Sequence, residues 1–202
     1  QYEVKKDTAG QLIKHGSYAS WYENGKQKQQ GTFKDGKPDG KHSFWYENGQ
    51  KESEGAFTDE KKTGPWTEWY DNGRKKSEGT YDGSRKTGMW TDWYDNGQKK
   101  AEVTFKDGQR TGGSASWYEN GNKKYEGAFE NNLRVGKWTV WYDNNNKNFE
   151  GEFQNGKEAG LWTYWHLNGA KASEGEYRDG KKVGKHTTWY DKGQKKSEGE
   201  YQ

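Results

Sequence analysis

The chain has 202 residues, 26% of them hydrophobic and 32% charged, and its mean hydropathy of −1.62 would by itself suggest disorder. Two features exclude that reading: 34 basic residues nearly balance 31 acidic ones, and 12 Trp, 14 Tyr and 7 Phe supply the apolar area that so few aliphatics cannot. The absence of cysteine excludes disulfides and thiolate metal sites, and no stretch approaches the roughly 20 apolar residues of a membrane-spanning helix.

Residues 1–15 read as an N-terminal cap. Tyr2 to Lys6 has the pattern of a lone strand, Asp7 to Gly10 that of a turn, and Gln11 to His15 that of a divergent lead-in carrying Leu12 and Ile13. A chain that starts at Gln1 inside a strand-like segment, with no initiator Met, gives the expectation of a secreted or envelope protein after signal-peptide removal; a cytoplasmic location is the alternative.

Residues 16–202 form about eight tandem repeats, expected to make one domain. Trp recurs at Trp21, Trp45, Trp69, Trp93, Trp117, Trp141, Trp165 and Trp189, a period of 24 residues without insertion. Gly16, Gly40, Gly64, Gly88, Gly112, Gly136, Gly160 and Gly184 keep the same period, as does the aromatic series Phe33, Phe57, Tyr81, Phe105, Phe129, Phe153, Tyr177 and Tyr201. Gly64 to Thr87 shows the pattern of one unit. A strand-like run through Trp66-Thr67-Glu68-Trp69-Tyr70 meets the turn dipeptide Asn72-Gly73. A second run, Lys75 to Tyr81, leads into a polar linker from Asp82 to Gly88. Two such runs around Asn-Gly predict a hairpin with a type I′ turn, which pairs Trp66 with Gly79 and Trp69 with Lys76; a three-residue turn with a bulge would shift these pairs by one.

Isolated hairpins are marginal in water, so the expected fold class is all-β, with tandem hairpins stacked into an elongated twisted sheet or solenoid-like array. Alternation puts Trp66 and Tyr70 on one face and Thr67 and Trp69 on the other. Two aromatic series per strand exceed what one buried face holds. The expectation is therefore that the Trp69 and Phe57 series fill the core, leaving Trp66, Trp90, Trp138, Trp162, Tyr70, Tyr94 and Tyr142 as candidate binding aromatics. The sequence ends at Tyr201-Gln202 with a complete second strand; such an edge would invite end-to-end pairing, blunted by Lys195 and Lys196.

Tyr125-Glu126-Gly127-Ala128-Phe129, followed by Gly136-Lys137-Trp138-Thr139, resembles the frame of MORN repeats. Units such as Trp93-Tyr94-Asp95-Asn96-Gly97 and Lys75-Lys76-Ser77-Glu78-Gly79 are closer to the bacterial variant, whose arrays are often labelled antitoxin components of the YwqK type. The resemblance runs from about Gly16 to Tyr201. It implies a hairpin stack used as a scaffold or dimerisation surface, in some members a lipid-contacting element, and through the antitoxin label a protein-binding role. The chain departs from the common frame in carrying Trp66, Trp90, Trp138 and Trp162 where a second glycine is usual.

No catalytic constellation emerges. His15, His42, His166 and His186 lie far apart without metal-ligand spacing, and His42 and His186 occupy the Trp66 position of their own repeats, as packing residues would. Asp71, Asp95 and Asp143 recur at turn positions, and there is no phosphate loop, nucleophile elbow or calcium loop. No enzyme, metal or cofactor is therefore expected. Lys75 and Lys76 are followed by Glu78, a mixed-sign pattern that argues for a solvated face and against nucleic acid; anionic lipid gains no support from it either. The leading expectation is a scaffold for protein–protein interaction or self-assembly. The alternatives are a carbohydrate-binding module, with a Trp and Tyr ladder at roughly 10 Å intervals, and an antitoxin-like protein that binds a toxin.

Overall fold

A computed structural model describes residues 2–202; Gln1, the first residue of the expected cap, lies outside the described residues. Among these the fold is all-β, with 18 strands and no helix, and the chain divides into two compact units. The first runs to Gly97 and takes in Lys106–Gly108. It contains β1 (Tyr2–Lys6), β2 (Leu12–Trp21), β3 (Gln27–Lys34), β4 (Lys37–Pro38), β5 (Gly40–Trp45), β6 (Lys51–Thr58), β7 (Lys61–Trp69), β8 (Lys75–Asp82) and β9 (Arg85–Trp93). The second comprises Gln98–Phe105 and Gln109–Gln202. Its strands are β10 (Lys99–Lys106), β11 (Gln109–Trp117), β12 (Lys123–Glu130), β13 (Leu133–Trp141), β14 (Lys147–Gln154), β15 (Lys157–Trp165), β16 (Lys171–Arg178), β17 (Lys181–Trp189) and β18 (Lys195–Tyr201). Within the first unit from β1 to β9, and within the second from β11 to β18, each strand pairs antiparallel with the next, except that β3 pairs with both β4 and β5. The lead-in is the start of β2, whose Leu12 and Ile13 pair with Lys6 and Lys5 of β1.

The Asn-Gly turn takes the three-residue alternative in place of the type I′ geometry expected first. At Asn72-Gly73 only the glycine has positive φ, at 81°, the Gly73 amide donates to the Tyr70 carbonyl, and the Tyr70 amide donates to Arg74. This is a three-residue loop with a glycine bulge, and the register slips so that Trp69 faces Lys75 while Trp66 still faces Gly79. The type I′ geometry occurs instead in the supposed linker: Asp82 pairs with Arg85, and Gly83 and Ser84 both have positive φ, 56° and 68°. Each unit is thus a meander, with strands where a linker was expected.

The core comes from a second bulge. Glu54 pairs with Thr67 and Ala56 with Thr63, so Gly55 alone stands opposite Gly64, Pro65 and Trp66. Gly64 takes φ of 66° there, which explains its strict recurrence. The bulge swings the Trp66 indole back over Gly55, where an added Cβ would lie 2.2 Å from ring atoms. The Trp66 Nε1 donates to the Ala56 carbonyl at 3.1 Å. Trp90 covers Gly79, Trp138 covers Gly127 and Trp162 covers Gly151 in the same way, each Nε1 donating to the carbonyl that follows its glycine. These four rings are 1–3% exposed and interleave edge-to-face with the Phe57 series, as in Phe57–Trp66 at 5.2 Å and Phe153–Trp162 at 4.9 Å between centroids. The expectation that Trp66, Trp90, Trp138 and Trp162 are binding aromatics is therefore corrected: they are the core. The Trp69 series, expected inside, lies half-buried on the opposite face.

His42 and His186 complete the column. Each imidazole sits on its glycine, Gly31 or Gly175, and donates through Nε2 to a carbonyl, Thr32 at 2.7 Å or Glu176 at 2.8 Å. One position departs: where the register calls for glycine and an indole the chain has Val103 and Ser114.

Gly79→Ala should cost about 1–3 kcal/mol or more in denaturant unfolding, because the methyl collides with Trp90. Gly199→Ala, at a site with nothing within 4 Å, should change stability by less than about 0.5 kcal/mol. Burial holds the His42 imidazole below the ordinary value of 6.5. The unfolded chain takes up that proton first, so stability should fall as pH drops through 6.5. Thermal unfolding of His42→Trp, compared with the parent from about pH 8 to about pH 5.5, should show that part of the slope removed.

Candidate functional site

Opposite the core, the Trp69 series carries a repeated charge cluster. The Lys51 ammonium lies 5.5 Å from the Trp69 ring and 2.7 Å from Glu54. Lys75 joins Trp93 to Glu78, Lys147 joins Trp165 to Glu150, and Lys171 joins Trp189 to Glu174 in the same arrangement. Lys51, with Lys41 and Ser43, holds the Glu54 carboxyl at about 2, and the Lys147 and Lys171 ammoniums lower those of Glu150 and Glu174. Each exposed pair is worth about 0–1 kcal/mol. Their larger consequence is that each of these lysines is held between an indole and a carboxylate.

The candidate tyrosines serve as clamps at the turns. The Tyr70 hydroxyl donates to the Trp93 carbonyl at 2.8 Å and that of Tyr142 to Trp165 at 3.0 Å; Tyr94 occupies the same half-buried position. Asn72 adds a second strap, from Nδ2 to the Asp95 carbonyl at 3.1 Å, and His166 replaces the tyrosine in bonding the Trp189 carbonyl at 2.9 Å. Tyr70 and Tyr142, half-buried and tied to the neighbouring repeat, serve in repeat docking. The remaining histidine, His15, lies beside Asp35 at 3.6 Å. Among the described residues no three His, Cys, Asp or Glu side chains converge as a metal site.

What the sequence reading missed is a column on the core face whose residues do not repeat. In the first unit it starts with Gln29 facing Phe44 and is then polar: Ser53 faces Glu68, and Ser77 faces Asp92 with the Ser77 hydroxyl 2.6 Å from Asp92 Oδ1. In the second unit the equivalent pairs are Tyr125 with Val140 and Phe149 with Tyr164, before polarity returns at Ser173 and Thr188. Tyr125 stacks 5.4 Å from Trp138, and Tyr164 5.9 Å from Trp162, while Phe149 lies 5.5 Å from Trp162. All four side chains are half-buried, and burial raises the Tyr164 phenol above its ordinary value, keeping it neutral. Comparing the 24-residue units column by column would have found this patch, since its residues change from Ser and Asp to Phe and Tyr.

Six segments, residues 14–35, 38–59, 62–82, 86–107, 134–155 and 182–202, match the family model described as MORN repeat variant. Residues 125–137 match the one described as MORN repeat. No curated protein matches the chain.

Proposed function

This chain belongs to the MORN repeat family, a group of generally non-catalytic repeat scaffolds for protein or membrane-lipid contacts, and we propose that it works by holding a partner protein against the second unit. The observation that carries this reading is the apolar column of Val140 and the three rings Tyr125, Phe149 and Tyr164. The equivalent pairs Ser53–Glu68, Ser77–Asp92 and Ser173–Thr188 are polar in strands that fold the same way, so the hairpin stack forms without rings at these positions. Half-buried rings on a rigid support, added beyond what packing requires, have the character of interface anchors. A toxin, as the resemblance to the bacterial variant suggests, is one identity for that partner; a second copy of the chain is another.

The test is to install the polar pair of the first unit as Phe149→Ser with Tyr164→Asp. Affinity capture and sedimentation velocity on the full chain should show a partner or a dimer with the parent and at least about tenfold weaker association with the variant, at unchanged far-ultraviolet circular dichroism. Identical association of parent and variant, or a parent that neither dimerises nor captures protein, would contradict the reading.

A further inference from the structure

The other departure from the period lies in the first unit, on the face opposite the core. At the position of Lys51, Lys75, Lys99, Lys123, Lys147, Lys171 and Lys195 the first repeat has Gln27, and where those lysines find a glutamate three residues on, it has Gln30. All seven later pairs are ion pairs of 2.5–2.8 Å. The first is an amide pair, Gln27 Nε2 donating to Gln30 Oε1 at 3.2 Å. The indoles change with it. The lysine that would cover Trp45 is Gln27, and the residue at the matching place for Trp21 is Glu3, so neither position supplies an ammonium. Trp21 is 50% exposed.

Around this neutral pair the surface opens into a cleft of about 720 Å³, lined by Trp21, Gln27, Gln30, Ser17, Thr32 and Ser43 together with Glu3 and Lys41. That volume falls within the range of roughly 300–1,000 Å³ typical of ligand sites. Of its two charged groups, Lys41 is held by Glu54 at 3.1 Å and the Glu3 side chain lies against Gly16.

We infer that this cleft is a binding site for a neutral saccharide, with Trp21 as the platform and Gln27 and Gln30 as the groups that read hydroxyls. The inference stands apart from the proposed protein contact, which lies in the other unit and on the core face. A pyranose presents a flat array of C–H groups to an indole and a rim of hydroxyls that both donate and accept. Primary amides match that rim because each offers two N–H donors and a carbonyl acceptor, whereas a lysine only donates and a glutamate only accepts. The amides bond each other through one atom each, which leaves Gln27 Oε1 and Gln30 Nε2 for a ligand. Desolvating two amides is also far less costly than desolvating an ion pair. A peptide is a poorer fit: β2 is paired on both sides, by β1 and β3, and β3 is paired with β2 and β5, so neither floor strand offers an edge for β-addition.

The experiment screens the full chain on a printed array of neutral and anionic glycans, then titrates the strongest neutral ligand by calorimetry. Two variants accompany the parent. Gln27→Lys with Gln30→Glu rebuilds the ion pair of the later repeats and should fold as they do, and Trp21→Ala removes the platform. Saturable binding of a neutral glycan, weakened at least about tenfold by both variants, is the expected result. No glycan binding by the parent, binding of anionic glycans alone, or binding that survives the Gln27→Lys, Gln30→Glu exchange would overturn the assignment.

Discussion

An indole resting directly on a glycine α-carbon is the contact on which the rest of each unit depends. Trp66 on Gly55 and Trp138 on Gly127 leave no room for even a methyl group, and each ring nitrogen is satisfied by the adjacent carbonyl. The ring belongs to one hairpin and the glycine to the one before it, so the contact is a lock between repeats. It dictates the geometry around it: an 11-residue step from glycine to indole, a bulge at Gly64 to turn the ring backward, and edge-to-face neighbours such as Phe57 and Tyr81. A one-residue insertion in a strand would put the ring on the wrong face, which accounts for the unbroken 24-residue register.

This lock is how a chain with 26% hydrophobic residues makes a core. The interior of each unit is a file of alternating aromatic rings, so few apolar residues are needed. Polar straps secure the rest: tyrosine hydroxyls and asparagine amides reach carbonyls 23 residues ahead, and a lysine folds over each later indole on the far side. His42 and His186 preserve both the stacking and the hydrogen bond of the tryptophans they replace.

The period, the all-β class and the hairpins were legible in the sequence because each leaves a local, repeated mark. The turn assignment failed because Asn-Gly suits both a type I′ turn and a glycine bulge, and the two-residue turn at Gly83-Ser84 was hidden in a polar stretch. Which indole is buried was not legible either. Counting residues from the turn pairs Trp66 with Gly79, but the bulge at Gly64 sends the ring to Gly55 on the preceding strand. With the faces unassigned, the Phe149–Tyr164 column and the Gln27–Gln30 pair looked like ordinary drift between repeats. Once the faces are known they become two separate departures, one apolar on the core side of the second unit and one uncharged on the outer side of the first.

The lock itself is tested where the chain lacks it. Val103 and Ser114 stand at the glycine and indole positions, so the socket and the ring are missing together. A double-mutant cycle of Val103→Gly and Ser114→Trp, read by denaturant unfolding, should show each single change destabilising and the pair coupled favourably by at least about 1 kcal/mol. Strictly additive effects would contradict the claim that ring and glycine act as one unit.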